Sequence, residues 1–259
     1  MTEFGICTLA VIPVRQEPSE KAEMTTQLLF GDLFEIIDHN KDWIHVISAY
    51  DGYAGWVNEK QVRLIDESDF SRLSGMPVFV NRKIMGDFVR TGAVSVHIPS
   101  GCSFYREENK MFRAGKNAFY FHGDLYPFEF SDIQEFTRTA MGYLECPYLW
   151  GGKTYLGMDC SGFTQMVFKQ HGIKLLRDAS QQAAQGEDIS FISNSRPGDL
   201  AFFDHDDGRI IHTGILIDPQ HIIHCSGKVR IDRIDHHGIY HAGKKQYTHT
   251  LRLIRRLIP

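Results

Sequence analysis

Between Gly157 and Phe168 the chain reads GMDCSGFTQMVF, a thiol bracketed by an aspartate and a serine with apolar residues behind it at helical spacing. Asp159 or Ser161 can cap such a helix, which sets Cys160 at its amino end. Unsatisfied N–H groups and the helix dipole favour negative charge there and predict a lowered thiol pKa. Position alone does not make a nucleophile, because a cysteine in a helix also serves as a small buried hydrophobe. A nearby base would decide between the two. His212 lies in RIIHTGILID and His224 in HIIHCSG, with Asp218-Pro219-Gln220 between them as a turn. A hairpin centred near 218–219 sets the two histidines nearly opposite each other on one face of a sheet. One imidazole could then accept the thiol proton while the other orients it. Solvated strand histidines are the alternative, in a chain with 13 of them.

A second cluster, DHDDGRIIH, brings Asp204, His205, Asp206 and Asp207 close in sequence to His212. Carboxylate and imidazole are usable metal ligands. A hydrophilic turn accounts better for the stretch, since His212 is already spoken for, and no metal or cofactor is expected. In HIIH the two histidines point to opposite faces of a strand, which argues against a shared metal.

The elements that must position these groups form an α+β pattern over residues 129–259. In SDIQEFTRTAMGYL, Ser131 is a candidate N-cap, and Ile133, Phe136, Ala140 and Met141 fall on one helix face. The helix after Cys160 uses Phe163, Met166 and Val167, and Gly172 is placed to stop it. RPGDLAFF, IIHTGILID and HIIHCSG then read as consecutive strands. Residues 1–66 differ: LFEIIDH, WIHVISA and AGWVNEK are β-rich runs between turn signals. Their connections are too short for helical crossovers, so antiparallel strands in a small barrel are expected, with Trp43 and Trp56 in its core. PVFVNRK, AVSVHIP and NAFYFHG make residues 67–128 β-rich too, a second and diverged barrel.

Composition narrows the partners. With 28 basic against 32 acidic residues and a net charge of −4, the chain lacks the surplus of a nucleic-acid binder. No apolar run is long enough to span a membrane. The five cysteines are odd in number, widely spaced and without a C-x-x-C pair, and the first residues make a poor secretory signal. A reducing, cytoplasmic setting and a monomer are expected.

CPYLWGGKTYLGMDCSGFTQMVF, RPGDLAFF, HTGILI and HIIHCSG occur in the order found in NlpC/p60 cysteine peptidases, and the chain resembles that family over about residues 130–259. The resemblance implies a papain-like fold with Cys160 as nucleophile, His212 as base, His224 as orienting residue and Tyr148 at the oxyanion. QLLFGDLFEIIDHNKDWIHVISAYDGYAGWVNEKQV resembles a bacterial SH3-like domain. Together the parts resemble intracellular γ-D-glutamyl-diamino-acid endopeptidases, which implies cleavage of murein peptides that start with a free L-alanine. A buried pairing of the substrate ammonium would reject longer chains through desolvation. The candidates for that pairing are Asp159, Ser161 and Ser180, with Glu23 (chosen among Glu17, Glu20 and Glu23) and Tyr53 from the first barrel. Two readings of other classes stand beside this one: a peptidoglycan-binding module with an inactive cysteine domain, and a metal-dependent hydrolase using the Asp/His-rich loop.

Overall fold

Seven short strands occupy the first 65 residues: β1 (Glu3–Ile6), β2 (Val11–Arg15), β3 (Met24–Leu29), β4 (Leu33–Asn40), β5 (Trp43–Ser48), β6 (Ala54–Asn58) and β7 (Arg63–Ile65). They form one antiparallel sheet in the order β3-β2-β6-β5-β4-β1-β7. Strand alternation sends Ile12, Val14, Phe34, Ile36, Ile44, Val46 and Val57 into a common apolar core. The same alternation corrects the expectation for the two tryptophans. Because Ile44, Val46 and Val57 point inward, Trp43 and Trp56 lie half-exposed on the other face, where His45 stacks on Trp56 at 4.7 Å.

The computed structural model describes residues 3–105, 110–204 and 208–258, and the chain divides into two compact units, Met1–Phe128 and Glu129–Pro259. The first unit continues with α1 (Glu67–Ser74), a helix in a stretch expected to be all strand. Asp66 nucleates it by accepting the Asp69 N–H at 2.7 Å. Seven strands follow: β8 (Val78–Asn81), β9 (Phe88–Thr91), β10 (Val94–His97), β11 (Ser103–Tyr105), β12 (Met111–Ala114), β13 (Asn117–His122) and β14 (Leu125–Pro127). They make two small sheets, β10-β9-β13-β12 and β11-β8-β14. Phe30, beyond β3, packs among Phe104, Phe112 and Phe119, with ring centroids 5.6–6.0 Å away. Ser103 donates to Asp32 at 3.0 Å and Tyr105 to the Gly31 carbonyl at 2.9 Å, so both segments share one core.

The second unit opens with α2 (Ile133–Met141). Its cap is Asp132, which accepts the Glu135 N–H at 2.8 Å, one residue later than the expected Ser131. Phe136 and Ala140 are its buried face, with Ile133 and Met141 half-buried. A two-stranded ribbon, β15 (Lys153–Thr154) with β16 (Gly157–Met158), leads into α3 (Cys160–Gln170). Every residue of α3 is buried, which makes it a central helix rather than an amphipathic surface one. Gly172, with φ of 70°, lies just past its end. After α4 (Ala179–Gln182) come β17 (Glu187–Asp188), β18 (Leu200–Asp204), β19 (Ile210–Asp218), β20 (His221–Ser226), β21 (Lys228–Asp235), β22 (Gly238–His241) and β23 (Gln246–Arg256). The sheet order is β17-β23-β18-β19-β20-β21-β22, and β22 also pairs with β23, so six strands close on themselves. Ala201, Phe203, Leu216, Ile222, Ile234, Ile239 and Ile254 fill its apolar interior.

Candidate active site

Asp159 caps α3 by accepting the Gly162 N–H at 2.6 Å, which fixes Cys160 as the first helical residue. Gly162 is required by close packing, because a Cβ there would lie 2.2 Å from the Gly152 carbonyl oxygen. The cap is itself held from behind. Arg177, only 1% exposed, donates to both Asp159 oxygens at 3.0 and 2.6 Å and to Ser161 Oγ at 2.9 Å, while Gly151 N–H donates to Asp159 at 2.8 Å. Sequence reasoning missed Arg177; a lone arginine after Leu175 and Leu176 gives no sign of a buried fork until the loop is folded.

The helix end does not lower the thiol pKa as expected. Burial, followed by the charge of Asp159, pushes Cys160 up to about 12. The Thr213 N–H, Arg177 and the Ser161 N–H pull the other way and lose. The contact with Thr213 also puts the sulfur beside the residue that follows His212.

His212 and His224 meet, with His212 Nε2 2.8 Å from His224 Nδ1. They are not directly opposite. His224 pairs with Gly214 and His212 with Phe203 of β18, so the two histidines sit one two-residue step apart on the same face. The hairpin turns one residue later than the symmetric expectation, with a bulge between Leu216 and Asp218. Gly214 makes the diagonal contact possible, since a Cβ there would fall 2.7 Å from the Cβ of His224.

The next strand repeats the step. His224 pairs with Arg230 of β21, and Asp232, two residues on, places Oδ2 3.0 Å from His224 Nε2. Arg230 donates to the other oxygen of Asp232 at 2.7 Å and lies 3.1 Å from His241 Nε2. His249 of β23 stacks on His212 with centroids 4.4 Å apart. Neither Asp232 nor His249 was singled out from sequence; the alternation in VRIDRID marks a strand but not its neighbour.

Electrostatics favour neutral imidazoles. Burial, then the neighbouring His224 and His249, holds His212 well below the usual histidine range. Burial lowers His224 as well, against the opposing pull of Asp232. Burial brings His249 to about 4. For Asp232 burial opposes ionisation, but the hydrogen bonds from His224 and Arg230 outweigh it and keep the carboxylate charged.

Tyr148 sits in the loop before the β15–β16 ribbon, its N–H bonded to the Gly227 carbonyl at 3.0 Å and its backbone bridged to Met158. Its side chain is 37% exposed, and burial, then the charges of Cys160 and Asp159, raises its hydroxyl pKa. The phenol therefore stays protonated and able to donate near the thiol. Asp159 and Ser161 are buried in the Arg177 network, whereas Ser180 is an exposed residue of α4, whose cap is Asp178. Glu23 is exposed just before β3 and Tyr53 half-buried just before β6. Because β3 and β6 both run antiparallel to β2, those two loops lie at the same end of the first sheet. His205, Asp206 and Asp207 of the alternative metal cluster lie outside the described residues; Asp204 pairs with Arg252 at 3.6 Å. His221 pairs with Asp218 at the hairpin turn.

The stretch that carries the buried thiol and the diagonal pair of imidazoles, residues 145–252, matches the NlpC/P60 family. The chain carries an NlpC/P60 domain. Residues 14–62 match the bacterial dipeptidyl-peptidase SH3 domain. The chain is 26% identical over 232 residues to a gamma-D-glutamyl-L-lysine dipeptidyl-peptidase of Bacillus cereus, covering 78% of this chain and 67% of the relative. It is 28% identical over 238 residues to the enzyme of that name from Bacillus subtilis, covering 85% and 74%. A crystal structure of an NlpC/P60 family protein from Bacillus cereus superimposes with a TM-score of 0.82 at 21% identity, over 99% of this chain and 100% of that one. The NlpC/P60 domain preceded by an SH3-like all-β region makes this protein a cysteine peptidase.

Proposed function

We propose that this peptidase hydrolyses the γ-D-glutamyl–diamino acid bond of murein peptides that begin with a free L-alanine. The observation that carries the reading is the extent of the similarity: relatives named for that bond match across 78–85% of this chain, well beyond the peptidase domain alone. Cys160 sulfur attacks the γ-glutamyl carbonyl carbon as His212 takes the thiol proton. With thiol and imidazole both neutral at rest, proton transfer accompanies attack. His212 returns that proton to the leaving amine of the diamino acid, and the C–N bond breaks to leave a glutamyl thioester on Cys160. Water then gives one proton to His212 and its oxygen to the carbonyl carbon, releasing the dipeptide and restoring the thiol. Tyr148 O–H and the Cys160 N–H, a first-turn donor without an intrahelical partner, stabilise the oxyanion.

Within the second unit, recognition of the free amine falls to Asp159, Ser161 and Ser180. Asp159 already receives five hydrogen bonds, from Arg177, Gly151, Gly162 and Ser161, so its share is a fixed wall of the site rather than a free acceptor. Ser180 is exposed and able to bond directly. The recycling of released wall peptides in the cytoplasm fits five buried free thiols, which a reducing compartment preserves; fractionation of the native protein tests that location.

A mass-spectrometric cleavage assay tests the reaction with L-Ala-γ-D-Glu-meso-diaminopimelate and its N-acetylated twin, using Cys160→Ala as control. Cleavage of the free peptide alone, lost in the variant, is expected. Equal cleavage of both peptides would remove the amine requirement, and turnover of neither would overturn the proposed bond. If Glu23→Ala keeps the full preference for the free amine, Glu23 has no part in it.

A further inference from the structure

Three adjacent strands carry His212, His224 and Asp232 in successive two-residue diagonal steps, and with both imidazoles neutral the hydrogen bonds between them have only one consistent proton arrangement. Asp232 is charged and accepts only, so the nitrogen 3.0 Å from it, His224 Nε2, must carry a proton. A neutral His224 then offers a lone pair at Nδ1. The atom 2.8 Å from that lone pair, His212 Nε2, must therefore be an N–H donor. That leaves the lone pair of a neutral His212 on Nδ1, the nitrogen not engaged by His224. Arg230 anchors Asp232 from behind, bonding the carboxylate oxygen that His224 does not use.

We propose that Asp232 is a positioning residue that sets the tautomer of His212 through His224, and so keeps the base's lone pair available to the Cys160 thiol. The inference rests on the peptidase roles of Cys160, His212 and His224. The charged and titratable groups around the relay are Arg230 and, beyond it, His241 on the Asp232 side, and His249 stacked over His212. His224 alone could orient His212 in either direction, because an imidazole can donate or accept at Nδ1. The carboxylate on the third strand removes that ambiguity.

Asp232→Asn reverses the polarity. Its amide can donate to His224 Nε2, which moves the His224 proton to Nδ1, makes His212 Nε2 an acceptor and puts the His212 proton on Nδ1. The base then has no lone pair for the thiol in its neutral form. The experiment combines imidazole 15N spectra of the full chain at neutral pH with kinetics on L-Ala-γ-D-Glu-meso-diaminopimelate, in wild type, Asp232→Asn and Asp232→Glu. Wild type is expected to show Nε2–H at both His212 and His224. Asp232→Asn should move both protons to Nδ1 and lower kcat by about 10²–10⁴-fold, the worth of a general base, with KM unchanged. Asp232→Glu, which keeps an acceptor, should retain the wild-type proton pattern and recover most of kcat. Wild-type nitrogen spectra in Asp232→Asn would overturn the proposal. So would equal losses in both variants with the proton pattern unchanged, which would mark a merely structural carboxylate. Should the wild type fail to cleave the peptide, the substrate assignment falls, while the nitrogen spectra still decide the role of Asp232.

Discussion

The first sheet and the closed sheet of the second unit are both seven-stranded and antiparallel, yet they fill their interiors differently. The first packs Ile12, Val14, Phe34, Ile36, Ile44, Val46 and Val57, a wholly apolar set apart from the thiol of Cys7. The second shares its inner face between apolar residues such as Leu216, Ile222 and Ile234 and the polar series His212, His224 and Asp232. Each sheet also stacks an imidazole on an aromatic ring. His45 lies on Trp56 on a half-exposed face, whereas His212 is buried beneath His249. Burying hydrogen-bonded polar groups gains little stability over apolar packing and fixes proton positions instead. The first interior is built to hold the fold, and the second gives up part of that role to hold a hydrogen-bonded series of imidazoles and a carboxylate.

The sharpest way to break the comparison is at the thiol. Cys160→Ala should lower peptide cleavage by more than about 10³-fold while far-ultraviolet circular dichroism is unchanged; a purified variant of full activity would sink the mechanism. The mirror experiment is in the first interior, where Phe34→Ala should cost about 3–5 kcal/mol in denaturant unfolding by leaving a cavity. A loss below about 1 kcal/mol would mean that the apolar sheet is not the stability reserve of the first unit. Tyr148→Phe removes a hydroxyl and little packing, so a fall of about 10²–10³-fold in kcat with an unchanged melting temperature is expected. Unaltered kcat would take Tyr148 out of the oxyanion site.

The smallest effects are in pH. Raising pH converts the Cys160 thiol to the thiolate that reacts with iodoacetamide. Because the thiol titrates only near 12, capture by the free enzyme should climb about tenfold per pH unit from 7 to 11. A plateau already reached by about pH 6–8 would reveal a preformed thiolate–imidazolium pair. Lowering pH protonates His212 and removes its lone pair. Since burial depresses that imidazole, the acid limb of kcat/KM should lie below pH 6.5, the position an ordinary histidine would give.

Much of this site was legible in one dimension. Asp159 before Cys160 announced a helix start, and the alternation in IIHTGILID and HIIHCSG announced strands whose histidines share a face. Local rules suffice there, because capping and pleating depend on a few consecutive residues. Arg177, Asp232 and His249 were not legible, because each acts on a residue 8–37 positions away in sequence. The register of the hairpin was readable only to within a step, since the bulge before Asp218 carries no signature of its own. Trp43 and Trp56 were misplaced for a related reason: alternation says that neighbours point to opposite faces but not which face is covered.

By itself, then, the sequence determined the chemical types, the order of the domains and the place of Cys160 at a helix end. Tertiary structure alone decided the ionisation of the site. Helix position predicts a lowered thiol pKa, but depth of burial and the enclosed charge of Asp159 reverse the sign, and neither is a property of any short stretch of chain.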